Sequence, residues 1–245
     1  MTELELLTDG ARHLGVDISD AQKTQFRRLL DGLAAWNTRI NLTSASALAD
    51  AERVHLLDSL ALVPLIRRDQ PSAQRLIDVG SGAGFPGLVL KVMMPEIHVV
   101  LVEATQRKAE YLRWCTGELG LTGLDVVAER SEDAARFDDL RESFDVATAR
   151  ALGPLPVVLE LTLPFCRAGG VLLASRGVDA DAEAEAAQGV AEQLGGKIRG
   201  VEPVSLPGPV ERKATVLVDK VRPTPERFPR RAGMPMKNPL TGEAR

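Results

Sequence analysis

Hydrophobic positions along the chain change their period near residue 75. Before it, Phe26, Leu29, Leu30, Leu33 and Trp36 recur at helical spacing. Ser19-Asp20 stands where a helix N-cap is needed. Asn37 to Ser46 reads as a connector, and a second helix is expected from Ala47 to Leu65, carrying His55 and Asp58. Beyond Arg75, short apolar runs alternate with amphipathic stretches. Strands are expected at Leu76 to Val79, Val99 to Val102, Leu124 to Val127, Phe144 to Thr148, Gly170 to Ala174, Ile198 to Pro203 and Lys213 to Val218. Helices are expected between them at Pro86 to Met93, Lys108 to Leu119, Leu155 to Phe165 and Asp179 to Leu194. Pro156 is compatible with the third of these because proline is tolerated in a first helical turn.

Strands alternating with helices imply right-handed crossovers and a mostly parallel sheet covered on both faces. The expected class is α/β: a Rossmann-like sheet of seven strands, the last two an antiparallel pair, behind an N-terminal helical cap. The expected division is a cap over 1–70, a core over 71–221 and a tail over 222–245. In such sheets ligands bind at the carboxyl ends of the strands, where the winding reverses. The loops after Val79, Val102, Val127 and Thr148 are therefore the places to look for chemistry.

Composition narrows the classes. With 245 residues, 44% hydrophobic and 26% charged, the chain is an ordinary globular one. It has no apolar run long enough to cross a membrane, and its N-terminus lacks the basic-then-apolar order of a signal peptide. A cytoplasmic protein without a membrane partner is expected. The two cysteines, Cys115 and Cys166, and the three histidines are scattered, so buried thiols and no metal site are expected. A net charge of -4 argues against non-specific coating of nucleic acid. The tail departs from that average. Arg222, Arg227, Arg230, Arg231, Lys237 and Arg245 face only Glu226 and Glu243 there. A polyanion contact and a solvated terminus fit this equally well.

The loop Gly80-Ser81-Gly82-Ala83-Gly84-Phe85-Pro86-Gly87 satisfies two patterns. Read from Gly82 it is a dinucleotide fingerprint, G-x-G-x-x-G. Read from Asp78 it is D-x-G-x-G-x-G, the signature of Rossmann-like methyltransferases. Asp78 at the strand end is a poor neighbour for a pyrophosphate and suits donors around a methionine moiety. The preceding helices and the single βαβ opening also favour S-adenosylmethionine. Glu103 ends the second strand about 20 residues on, where an acid can bind ribose hydroxyls, or can simply favour a helix start. Ser131 and Glu132, after the third strand, suit an adenine edge or a helix N-cap.

The acceptor is narrowed by what is missing. After the fourth strand comes Ala149-Arg150-Ala151-Leu152, not the motif usual for exocyclic amine methylation. Neither cysteine has the context of a C5-pyrimidine nucleophile. A guanine N7 carries a free lone pair, so the enzyme would need chiefly to position it in line with the methyl group. Arg150 suits an anchor for base, phosphate or cofactor, with a structural ion pair as its alternative.

Taken in order, several segments resemble the bacterial 16S ribosomal RNA guanine-N7 methyltransferase family, once called glucose-inhibited division protein B. They are Asp78 to Gly87, Trp36-Asn37 with Asn41-Leu42-Thr43, His55-Leu56-Leu57-Asp58-Ser59-Leu60, Lys108, Arg150-Ala151-Leu152 and Phe228-Pro229-Arg230-Arg231-Ala232-Gly233-Met234-Pro235. The resemblance covers nearly the whole chain. It implies S-adenosylmethionine as methyl donor and a guanine N7 of small-subunit ribosomal RNA as acceptor, free or in the particle. It also implies cofactor contacts from Gly80, Phe85, Glu103, Ser131, Glu132 and Arg150, to which the loop reading adds Asp78 and Gly82. Arg150 is the expected positioning residue, with no general base. Asn41, His55, Arg176, Arg230 and Arg231 are substrate candidates, and the tail is expected on or near the RNA-facing side. Asn41 could instead cap a turn, His55 could pair with Asp58 along its helix, and Arg230 and Arg231 could strap the fold. Arg176 stands where relatives often carry lysine. A monomer is expected.

Overall fold

The computed structural model describes residues 4–206 and 213–242. Glu243 and Arg245 of the basic tail lie outside the described residues. The helices before the sheet are α1 (Glu5–His13), α2 (Asp20–Asn37), α3 (Ala45–Ala49), α4 (Asp58–Leu60) and α5 (Leu62–Asp69). Ser19 caps α2 through a capping box with Gln22, as the polar start of that segment suggested. Next come β1 (Arg75–Val79), α6 (Gly87–Met93), β2 (His98–Val102), α7 (Gln106–Glu118), β3 (Leu124–Val127), α8 (Ser131–Ala134), β4 (Phe144–Arg150) and α9 (Leu155–Thr162). The chain closes with β5 (Cys166–Arg176), α10 (Ala180–Ala186), α11 (Gln188–Gln193), β6 (Gly196–Val204), β7 (Lys213–Lys220) and α12 (Met234–Lys237). No helix among the described residues is long and apolar enough to cross a membrane.

The seven strands run in the order β3-β2-β1-β4-β5-β7-β6. Strands β1 to β5 are parallel, and β7 is antiparallel to both neighbours. Winding goes outward from β1 through β2 to β3, then restarts on the other side of β1 with β4. The switch point therefore lies between β1 and β4, above the glycine loop. Because β7 is reversed, its first residue, Lys213, arrives at the same edge as the carboxyl ends of the parallel strands.

Alternate residues of each central strand serve opposite faces. Leu76, Val99, Leu101, Val146 and Leu173 pack with Leu7, Phe26, Leu29, Leu33 and Leu90. Ile77, Val79, Val100, Ala147 and Leu172 pack with the opposite layer, Val158, Leu159, Ala184 and Val190. The N-terminal helices thus share one core with α6 and a face of the sheet. Two expected helices are broken. Asp179 to Leu194 divides at Ala187 into α10 and α11. Ala47 to Leu65 is interrupted by a π-helical turn over Glu52–Leu57. That turn faces the sheet's carboxyl edge, as π turns at functional sites often do.

Candidate functional site

A cavity of about 980 Å3 opens over the switch point. That volume suits a cofactor-sized ligand. Its floor at one end is the glycine loop. Gly80, Gly82 and Gly84 all have positive φ, which glycine alone adopts without strain. A Cβ on Gly80 would stand 2.5 Å from Leu152 Cδ1, whereas a Cβ on Gly82, which lines the cavity, would have among the described residues only the Gly80 carbonyl oxygen within 4 Å. The loop is tied back by its own amides. Gly80 and Ser81 donate to the Val102 carbonyl, and Gly82 donates to Glu103 Oε2 at 2.9 Å. Thr105 N donates to Glu103 Oε1 at 2.7 Å. Glu103 is buried yet lines the cavity, with lone pairs left to accept from hydroxyl groups.

Ser131 and Glu132 close this end. An N-cap role for Ser131 does not hold. The cap position is Arg130, without a side-chain cap, and Ser131 Oγ is buried with no partner among the described residues. A buried hydroxyl left open toward a cavity is a group a ligand can satisfy. Glu132 accepts from the Gly233 amide at 2.7 Å, so the tail reaches the cavity rim, where Met236 also stands. Asp78 is placed differently from the sequence expectation. It lies beneath the loop, 1% exposed, and does not line the cavity. Gly87 N and Thr148 Oγ1 donate to its oxygens at 3.0 and 3.2 Å, so it braces the loop from below. Burial raises its pKa to about 6.

The other end is built around Arg150. The π turn and the first residue of α4 bring three groups to one guanidinium. Nη1 donates to the Val54 carbonyl at 2.7 Å and to Asp58 Oδ2 at 3.0 Å, and Nη2 donates to His55 Nδ1 at 3.0 Å. His55 and Asp58 therefore do not pair along their helix; both hold Arg150. With Nδ1 accepting, the ring hydrogen sits on Nε2, which meets Thr43 Oγ1 at 2.9 Å. The His55 ring stacks on Phe85 at 4.6 Å, and the guanidinium lies 5.6 Å from the Phe85 centroid. The second oxygen of Asp58, Oδ1, pairs with Lys213 Nζ at 3.0 Å. Two cations thus share one buried carboxylate, and sequence reasoning had assigned no role to Lys213 or Thr43.

Burial, followed by the neighbouring Arg150, lowers the His55 pKa to about 4, so the ring is neutral at ordinary pH. The unfolded chain then takes up this proton first, and stability is lost as pH falls from 6.5 to about 4. Asp78 acts in the opposite sense. Its contribution is fully present below 3.8 and is lost as pH rises through about 6. The two dependences offset each other over most of that window. Asp78→Asn should therefore unmask a steeper loss of stability on acidification, measured by denaturant melts at pH 6.5 and 4.5; identical slopes in variant and wild type would refute the assignment.

The remaining candidates divide. Arg176 lines the cavity, donates to the Gly153 carbonyl at 2.7 Å and pairs with Glu183, while its buried Nε has no partner among the described residues. Asn41 is exposed and outside the cavity. The turn there is made by Asn37 instead, whose Oδ1 accepts from the Leu42 and Thr43 amides at 2.9 and 3.0 Å. Arg230 is tied to the fold through Glu160, the strap that the sequence left as its alternative to an RNA contact. Its Nε and Nη2 donate to Glu160 at 2.8 and 2.6 Å, and its own amide donates to the same carboxylate at 2.9 Å. Arg231 is exposed. Both cysteines are buried and free.

The family model described as rRNA small subunit methyltransferase G matches residues 22–206. A protein of Chloroflexus aggregans named ribosomal RNA small subunit methyltransferase G is 45% identical over 96% of this chain and 97% of its own length. One of the same name from Dehalococcoides mccartyi is 40% identical over 96% of this chain and 98% of its own. Among solved structures, an MtNAS variant in complex with S-adenosylmethionine superposes with a TM-score of 0.51 at 18% identity, covering 89% of this chain and 78% of that one. At that identity the likeness concerns the fold.

Proposed function

The chain belongs to the rRNA small subunit methyltransferase G family, and on that premise we propose that it methylates N7 of a guanine in 16S ribosomal RNA. The carrying observation is one cavity with two chemically different ends. The Gly80–Gly82 loop, Glu103, Ser131 and Glu132 offer close backbone approach, acceptors for ribose hydroxyls and an open hydroxyl, which suit S-adenosylmethionine. The group supplies an electrophilic methyl on a sulfonium when bound. Arg150, Lys213 and Thr43 offer donors at the opposite end, which suit an RNA nucleotide.

Guanine N7 attacks with its own lone pair, so no proton need leave first. The protein's part is to hold the purine in line with the methyl group and to exclude water. His55, neutral and already accepting from Arg150, serves as a brace and not as a base. Phe85 supplies an apolar wall between the two ends.

Purified protein should transfer labelled methyl from S-adenosylmethionine to small-subunit RNA or particles lacking the modification. Nuclease mapping should place the label on a guanine N7. Transfer to a small molecule without RNA, or to another atom of the base, would overturn the reading. Ser131→Ala should weaken S-adenosylmethionine binding several-fold with little change in melting temperature, read by calorimetry and thermal melts. Unchanged affinity would remove Ser131 from the cofactor end.

A further inference from the structure

We infer that Lys213 is a substrate-recognition residue, donating to an oxygen acceptor of the target nucleotide; this rests on the proposed RNA methylation. Topology first places it there. Since β7 is the one reversed strand, its first residue lies at the carboxyl edge of the sheet, beside Arg176 at the end of β5, whose partner in the register is Ala214. The side chain is 24% exposed and lines the cavity at the end away from the glycine loop.

The donor count gives the chemistry. An ammonium has three N–H groups and no acceptor. The ammonium is ion-paired with Asp58 Oδ1 at 3.0 Å, and no other partner of Lys213 occurs among the described residues. Asp58 is already shared with Arg150, and His55 spends its one N–H on Thr43. The buried Nε of Arg176 is a further donor without a partner among the described residues. Two cations on one carboxylate leave this end with surplus positive charge and surplus donors. A carbonyl oxygen such as guanine O6, or a phosphate oxygen, satisfies both. An amine in the same place, as on adenine, would meet donors with a donor. Lys213 is thus suited to favour guanine over adenine, or to seat the nucleotide by its phosphate.

The test uses Lys213→Met and Lys213→Arg in the full chain, with unmodified small-subunit particles as acceptor. Lys213→Met should bind S-adenosylmethionine within twofold of wild type by calorimetry. Its kcat/KM for the particle should fall at least tenfold, and Lys213→Arg should recover most of that loss. A wild-type kcat/KM in Lys213→Met, or an equal loss of S-adenosylmethionine affinity, would overturn the inference. If Lys213→Met melts early, the same comparison is made with Lys213→Gln, which keeps donors but not charge. Salt dependence separates the two oxygens: a log–log slope reduced by about one in Lys213→Met marks a phosphate, and an unchanged slope marks the carbonyl. If wild type itself transfers no methyl to any small-subunit RNA, the proposed function falls and this inference with it. Failure confined to the variants leaves the proposed function standing.

Discussion

Arg230→Ala should lower the unfolding free energy by about 3–5 kcal/mol, because it leaves a buried carboxylate without its counter-ion. The partner, Glu160, is fully buried within the apolar helix α9, and its two oxygens receive three donors from Arg230 alone. At this chain length the loss corresponds to a melting temperature lower by roughly 6–20 °C. Glu160→Met combined with Arg230→Met should recover part of the loss, since an apolar pair needs no compensation. Recovery stays partial because the Arg230 amide loses its acceptor. Denaturant unfolding of the single and double variants decides this. A single variant as stable as wild type, but with a weaker and less salt-dependent RNA interaction, would return Arg230 to the phosphate contacts.

The same pair shows where sequence reasoning stopped. Leu155 to Phe165 is apolar except for Glu160 and Thr162, and a lone acid in such a run implies a buried partner. Nothing local says that the partner lies 70 positions away in the tail. Strands were legible because each is a short apolar run bounded by turn residues, and all seven occur where the runs stand. The loop was legible because its glycines are forced by positive φ at Gly80, Gly82 and Gly84. The expected uninterrupted helix from Ala47 to Leu65 was wrong for a tertiary reason. Its apolar period is adequate, but the π turn and the residue after it turn the Val54 carbonyl and Asp58 toward Arg150, 96 and 92 positions away. For Asp78 the sequence places a carboxylate beside a ligand loop, and its burial with donors from Gly87 and Thr148, which brace the loop from below, is a tertiary feature that the sequence does not display. Lys213 could have been noticed as a cation opening an apolar strand, yet its place at the site depends on that strand being reversed.

Arg150→Lys should reduce the methyl-transfer rate about 100-fold while leaving the fold intact. Lysine keeps the charge but has a single nitrogen, which cannot span the Val54 carbonyl, Asp58 Oδ2 and His55 Nδ1 together. Released from that fork, the His55 ring and Asp58 lose their fixed relation to Phe85 and Lys213, and the acceptor end widens. Displacements of about 1 Å are enough to cost two orders of magnitude in a reaction that depends on positioning. The effect should fall on the single-turnover rate with saturating S-adenosylmethionine. If Arg150 also touches the cofactor, as the family resemblance implies, its dissociation constant will rise in Arg150→Lys and stay unchanged in Asp58→Asn, which loosens the fork without removing the guanidinium. Equal cofactor affinities in both variants would assign Arg150 to the acceptor alone. A rate within twofold of wild type in Arg150→Lys would mean that charge suffices and that the fork geometry serves stability only.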